Sequence, residues 1–305
     1  MPILQAKLYP LSIPFKLTFS HSEASRSVCD SYILELSDGT HKGYGELVLR
    51  EYVNDPEKIL NSSKEISNRI SQILDTITAS YTKLPQIEQL KSIVINTDWY
   101  PYDLPLLAAI EIALLDILCA RNHTDIYSLL NLYPQREELF YGGVLPIASS
   151  STVKKMLYTY RQLNIPYLRI KLSDSNTYNT EVLEDCRNLM GTDFDLRVDV
   201  NCGWDLDKAA LHLDLLEATG IRLVEEPLGP DRQNMIKLVD LTGRRDITYV
   251  ADESIVTFSD LSEIIKDKTF GMLNLRIAKN GGLLRTLSLS EQATQAGLKY
   301  QLGCH

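Results

Sequence analysis

Three short apolar runs in the second half of the chain end in acids. LRVDVN (196–201) delivers Asp199 and Asn201, IRLVEEP (221–227) delivers Glu225, and YVADES (249–254) delivers Asp252. Side chains alternate along a strand, so Asp199 and Asn201 share one face while Val198 and Val200 share the other. The three acids stand 26 and 27 positions apart, one strand-helix repeat each, so consecutive strands would bring them to a common mouth. Carboxylates gathered in one place repel one another unless they are protonated or bridged by a cation. Oxygen-only donors suit a hard ion such as magnesium, which keeps open positions for substrate oxygens. One acid alone would equally well cap the following helix, whose first amides favour Asp and Glu. Three in register on successive strands point instead to a metal site holding Asp199, Glu225 and Asp252.

The run before them adds cations. YLRIKLS (167–173) puts Arg169 and Lys171 on one face, with Lys171 at the strand end, facing the acids across the mouth. Beside a divalent ion and a second cation an ammonium group is disfavoured, which suits Lys171 to act as a base. Asn201 is placed to support the metal or its water, and Trp204 reads as packing.

The elements that must hold these residues follow from the texture of the chain. After Tyr141, apolar runs recur about every 25 residues, at 143–148, 167–171, 194–200, 221–226, 247–252, 271–276 and 298–303, with helical stretches between them. Strand and helix in strict alternation imply parallel strands joined by crossovers. The glycine-rich phosphate turn of a doubly wound sheet is absent, so the expected fold class is α/β, a (β/α)8 TIM-type barrel. An eighth strand and its helix do not follow before His305, and the barrel is expected to be truncated at its C-terminal end. Ahead of it lies an α+β texture. SYILELSDGTHKGYGEL is a hairpin about Asp38-Gly39, residues 56–80 have helical periodicity, and the helix from Asp103 is apolar on most faces. The expected division is an α+β unit over 1–125 and a barrel over 126–305.

Composition sets limits on partners. A chain of 305 residues with 44% hydrophobic content can bury a sizeable core. Its formal charge of −9 argues against a nonspecific grip on nucleic acid or anionic membranes, and favours a small molecule or a cation. Five scattered cysteines show neither zinc nor redox spacing. With no leader-like start and no long apolar segment, the expectation is a cytoplasmic protein with free thiols.

Taken together, Lys171, Asp199-x-Asn201, Glu225-Glu226-Pro227, Ala251-Asp252-Glu253-Ser254 and LNLRIAKNGG (273–282) resemble the enolase superfamily, in its muconate-lactonizing branch (the mandelate racemase/muconate lactonizing enzyme family). PFKLTFSHS (14–22) and KGYGEL (42–47) are similar to that family's capping domain, which selects substrate. The resemblance implies Mg2+ on Asp199, Glu225 and Asp252, chelating a substrate carboxylate. It also implies proton abstraction by Lys171 at the adjacent carbon, with a metal-stabilised enolate. Within the capping unit His21, Arg50 and Tyr52 are candidate substrate contacts.

One departure bears on the reaction. The family carries a second lysine where this chain has Arg276, and arginine does not act as a base at neutral pH. Lys279, three positions along a strand, would face the other way. Arg276 can still stabilise charge or grip a carboxylate, so the expectation is a one-base lyase or cycloisomerase, of muconate-lactonizing or succinylbenzoate-synthase type. The alternatives are a racemase or epimerase of amino-acid derivatives or dipeptides, and an inactive truncated member. A homo-oligomer would fit an open barrel.

Overall fold

The fold is that of a computed structural model, which describes residues 4–20, 25–49, 60, 62–79, 81, 83–134, 138–191 and 194–304. It opens with an antiparallel sheet of β1 (Gln5–Ser20), β2 (Ser25–Ser37) and β3 (Lys42–Leu47), in that order. The expected hairpin joins β2 to β3. Asp38 Oδ1 accepts from the amides of Thr40 and His41 at 2.9 and 2.7 Å, and Gly39 takes a φ of +90° that few other residues tolerate. Helices α1 (Ser63–Thr78), α2 (Ile87–Asn96), α3 (Leu104–Asn122) and the short α4 (Ile126–Leu130) follow.

Helix α3 lies directly on β3, and the two glycines of KGYGEL explain the closeness. A Cβ on Gly45 would fall 2.0 Å from the Ala109 carbonyl oxygen, and one on Gly43 2.0 Å from that of Ala113. Both neighbours are helix backbone, which cannot yield as a side-chain end would. Gly45→Ala is therefore expected to cost about 3 kcal/mol through forced separation of sheet and helix. Urea denaturation would measure it, and a loss under about 0.5 kcal/mol, typical of surface positions, would refute the contact.

The seven expected parallel strands all form. They are β4 (Gly142–Leu145), β5 (Tyr167–Lys171), β6 (Asp195–Asp199), β7 (Leu223–Glu225), β8 (Thr248–Ala251), β9 (Met272–Leu275) and β10 (Lys299–Leu302). Helices α5 (Ser150–Gln162), α6 (Asn176–Met190), α7 (Leu206–Ala218), α8 (Arg232–Thr242), α9 (Phe258–Asp267) and α10 (Leu283–Gln295) connect them. Each strand pairs with the next in sequence, from β4 at one edge to β10 at the other. The result is a partial barrel rather than a closed one. Leu168, Ile170, Val198 and Val224 face the helices and join their core, while Arg169, Lys171, Asp199 and Glu225 take the other face.

The sheet is strongly curled. Arg197 on β6 donates to Gln301 on β10 at 2.9 Å, although four strand steps separate them. In a flat sheet those strands would stand about 19 Å apart. Among the described residues no helix is long and apolar enough to cross a membrane.

Helix α3 also ties the first sheet to the barrel. Its Glu111 is fully buried, and its Oε1 accepts from the Leu284 amide at the start of α10 at 3.0 Å. Gly282 makes this approach possible, because a Cβ there would lie 2.5 Å from the Glu111 carboxyl carbon. Burial pushes the carboxyl up from 4.5 to about 8, against the pull of the Leu284 and Leu283 amides and Arg285. The folded protein thus holds a proton that the unfolded chain releases between those two values. The associated stability is complete below about pH 4.5 and is lost as pH rises toward about 8, a change on the order of a few kcal/mol. Glu111→Gln is expected to flatten that decline. Denaturant midpoints at about pH 5 and about pH 8.5 would show it, and an unchanged slope would assign the pH dependence to other groups.

Candidate active site

Parallel register brings the charged strand ends side by side. Lys171 pairs with Asp199 and Asp199 with Glu225, so three consecutive strands present a lysine and two carboxylates in one row on the inner face. All three are buried. Lys171 Nζ donates to Asp199 Oδ2 at 2.6 Å and also to Asn201 Oδ1. Arg169 Nη1 donates to Glu225 Oε1 at 2.8 Å and lies 3.7 Å from Asp199 Oδ2. Glu225 also accepts from Asn274 Nδ2 at 2.9 Å and from Gln301 Nε2 at 3.2 Å.

Asp252 lies just beyond β8 and is fully buried. It forms an ion pair with Arg276, and its Oδ1 accepts from Lys279 Nζ at 2.8 Å. Lys279 also donates to the backbone oxygens of Asp252 at 2.6 Å and of Asn274 at 2.8 Å. Beneath these, Glu226 accepts from the amides of Asp252 and Ser254, both at 2.6 Å, and so fixes the turn that carries Asp252.

The ionisation of the site follows from burial set against these partners. Burial and the neighbouring Glu225 raise Asp199, with Lys171 and Arg169 opposing them. Burial would raise Glu225 too, but Arg169, Arg276 and Lys171 outweigh it and hold the carboxylate below its usual range. Burial and the adjacent Arg276 lower the Lys279 ammonium to about 7.

Three carboxylates thus face four cations. As a donor set, buried, oxygen-only and with Glu225 held ionised, Asp199, Glu225 and Asp252 fit a hard divalent ion. Their donor atoms are not within 4.8 Å of one another; among the described residues the set that is so close is Cys202, Glu226 and Glu253. Such an ion would take over charge compensation now provided by Arg169, Lys171 and Arg276.

Two expectations need correction. Asn201 is not on the strand with Asp199: β6 ends at Asp199, and Asn201 sits in a turn with φ +47° that folds its amide back onto Lys171. Lys279 is not on a strand either, because β9 ends at Leu275. A turn fixed by Asn280, whose Oδ1 accepts from the Arg276 amide at 2.9 Å, sends Lys279 inward to Asp252. His21, Arg50 and Tyr52 lie outside the described residues. Sequence reading gave no site role to Glu226, Glu253 or Asn274, which stand only within the quoted motifs, and did not single out Gln301. The first two had a signal, since each directly follows a singled-out acid.

Comparison with known proteins adds three kinds of match. A family model described as enolase C-terminal domain-like matches residues 154–305. The N-succinyl-L-Arg/Lys racemase of Bacillus cereus is 26% identical over 308 residues, covering 99% of this chain and 80% of that one. Its crystal structure superposes with a TM-score of 0.84 over 98% of this chain and 78% of that chain. A dipeptide epimerase from Enterococcus faecalis, solved with Mg and L-Leu-L-Tyr, superposes with a TM-score of 0.83 at 22% identity, covering 100% of this chain and 83% of that one. The chloromuconate cycloisomerase of Cupriavidus pinatubonensis is 28% identical over 197 residues, 63% of this chain and 51% of that one.

Proposed function

Given that this chain belongs to the enolase superfamily, among its mandelate racemase/muconate lactonizing members, we propose that it removes the proton α to a carboxylate, with Lys171 as the base and Asp199, Glu225 and Asp252 as the ligands of Mg2+. We take the substrate to be an amino-acid derivative or dipeptide and the outcome to be epimerisation. In this reading residues 1–125 cap the mouth of the barrel over 126–305. The single observation that carries it is the row of Lys171, Asp199 and Glu225 on adjacent strands, closed by Asp252 one strand further on. The racemase and dipeptide epimerase matches weigh toward this substrate class over the lyase reading that Arg276 suggests.

A magnesium ion bound to the three carboxylates would supply the charge that steadies the substrate carboxylate as its α-carbon becomes acidic. The chain's own groups do the rest. Asp199 and Asn201 aim the Lys171 Nζ, which takes the proton. Arg169 holds Glu225 in place and ionised. Arg276, four strands from Lys171 in sheet order, stands across the curled mouth and is suited to bind anionic substrate groups.

A second reading rests on the same Arg276. With arginine at 276, a one-base elimination or cycloisomerisation is the competing outcome, in line with the cycloisomerase match. NMR of α-proton exchange into deuterated solvent, across dipeptides, N-acyl amino acids and muconate-type diacids with and without Mg2+, tests both. Exchange with inversion on an amino-acid derivative supports epimerisation, and ring closure or elimination supports the second reading. No magnesium-dependent exchange with any of them would overturn both.

A further inference from the structure

Behind the row of carboxylates lies a second constellation with different chemistry. One donor atom each from Cys202, Glu226 and Glu253 lie within 4.8 Å of one another, from three successive strand-end turns. The grouping is built into the backbone, because the Cys202 amide donates to the Glu226 carbonyl oxygen at 2.8 Å. Glu253 Oε1 accepts from Asn201 Nδ2 at 3.1 Å, while its Oε2 is sealed from solvent and has no hydrogen-bond partner. A buried, unpartnered carboxylate oxygen is costly, and here it sits beside a second buried carboxyl and a thiol.

Glu253 lines a cavity of about 410 Å3 between α8 and α9. The other acids on its wall are engaged. Asp231 accepts from the amides of Gln233 and Asn234, Asp260 from those of Val256 and Thr257, and Glu263 and Asp267 pair with Arg232. Among these acids Glu253 carries the oxygen that is both sealed from solvent and without a hydrogen-bond partner.

We propose that Cys202, Glu226 and Glu253 form a second metal site, distinct from the one assigned to Asp199, Glu225 and Asp252, and selective for zinc or a similar borderline divalent ion. The thiolate sets the preference. Sulfur ligands favour zinc and cobalt, whereas magnesium takes oxygen alone, so the two neighbouring sites sort two classes of ion. On binding, the proton of the Cys202 thiol and any proton on the glutamates pass to solvent, and the metal binds the thiolate and carboxylates left behind. Asn201 links the sites, since its Oδ1 accepts from Lys171 and its Nδ2 donates to Glu253. An ion at Glu253 therefore bears on how the base is held.

The test is cobalt and zinc titration of the full chain under reducing conditions, with Mg2+ in large excess. The expected result is one equivalent of Co2+ bound with a near-ultraviolet sulfur-to-cobalt band, displaced by Zn2+. Cys202→Ser should abolish the band and weaken Zn2+ by about a hundredfold, and Glu253→Gln should weaken it similarly. Cys304→Ser, which removes an exposed thiol outside the proposed ligand set, should leave both intact. Circular dichroism of each variant separates loss of metal from loss of fold. Cobalt bound without a sulfur band, or a band that survives Cys202→Ser, would overturn the proposal, as would no Co2+ or Zn2+ binding by the folded wild type.

Discussion

Lys171→Ala is expected to lower magnesium-dependent α-proton exchange by about a thousandfold while leaving the fold intact, the scale of a lost general base. Its Nζ both touches a proposed metal ligand, Asp199, and is aimed by a second side chain, Asn201. Removing it leaves Asp199 with Arg169 nearby at 3.7 Å, so the carboxylate keeps a counter-charge and the ligand set survives. The expected signature is a fall in kcat with Mg2+ affinity nearly unchanged. A loss of Mg2+ binding in step with activity would mean that Lys171 organises the site rather than moving the proton. Undiminished exchange would transfer the base to another residue.

That the row could be read from sequence at all depends on parallel register. Strand-helix repeats of similar length set Asp199, Glu225 and Asp252 at the same end of consecutive strands, and a period of two put Lys171 and Arg169 on one face. Both signals are local, and all seven strands were legible for the same reason. What was not legible arises where the strands stop. Asn201, Cys202 and Glu226 each adopt positive φ, at +47°, +59° and +36°, and alternation carries no information through such turns. Lys279 was misplaced by the same error, as a strand pattern extended past Leu275 into a turn. Contacts closed by curvature, such as Gln301 on Glu225, need the whole sheet to be known. Glu111 was hidden in an apolar helix, since its partner at Leu284 is 173 residues away.

Arg276→Lys is expected to raise the rate of inversion at the α-carbon by about a hundredfold, with exchange through the Lys171 face little changed. Inversion needs a proton taken from one face and another returned on the opposite face, and a guanidinium stays protonated at neutral pH. The proposed epimerisation by the wild-type protein should therefore be limited by proton return on the far face, so that the α-proton of one epimer exchanges faster than the two epimers interconvert. A lysine at this position, four strands from Lys171 across a curled sheet, supplies an ammonium able to give and take a proton there. It would also release part of the grip on Asp252, which Arg276 now shares with Lys279. Following both epimers by NMR in deuterated solvent measures exchange and inversion in the same sample. A rise in inversion alone locates the missing second base at this position. If wild-type inversion already keeps pace with exchange and Arg276→Lys leaves it unchanged, the proton on the far face comes from elsewhere, and the asymmetry assigned to Arg276 is wrong.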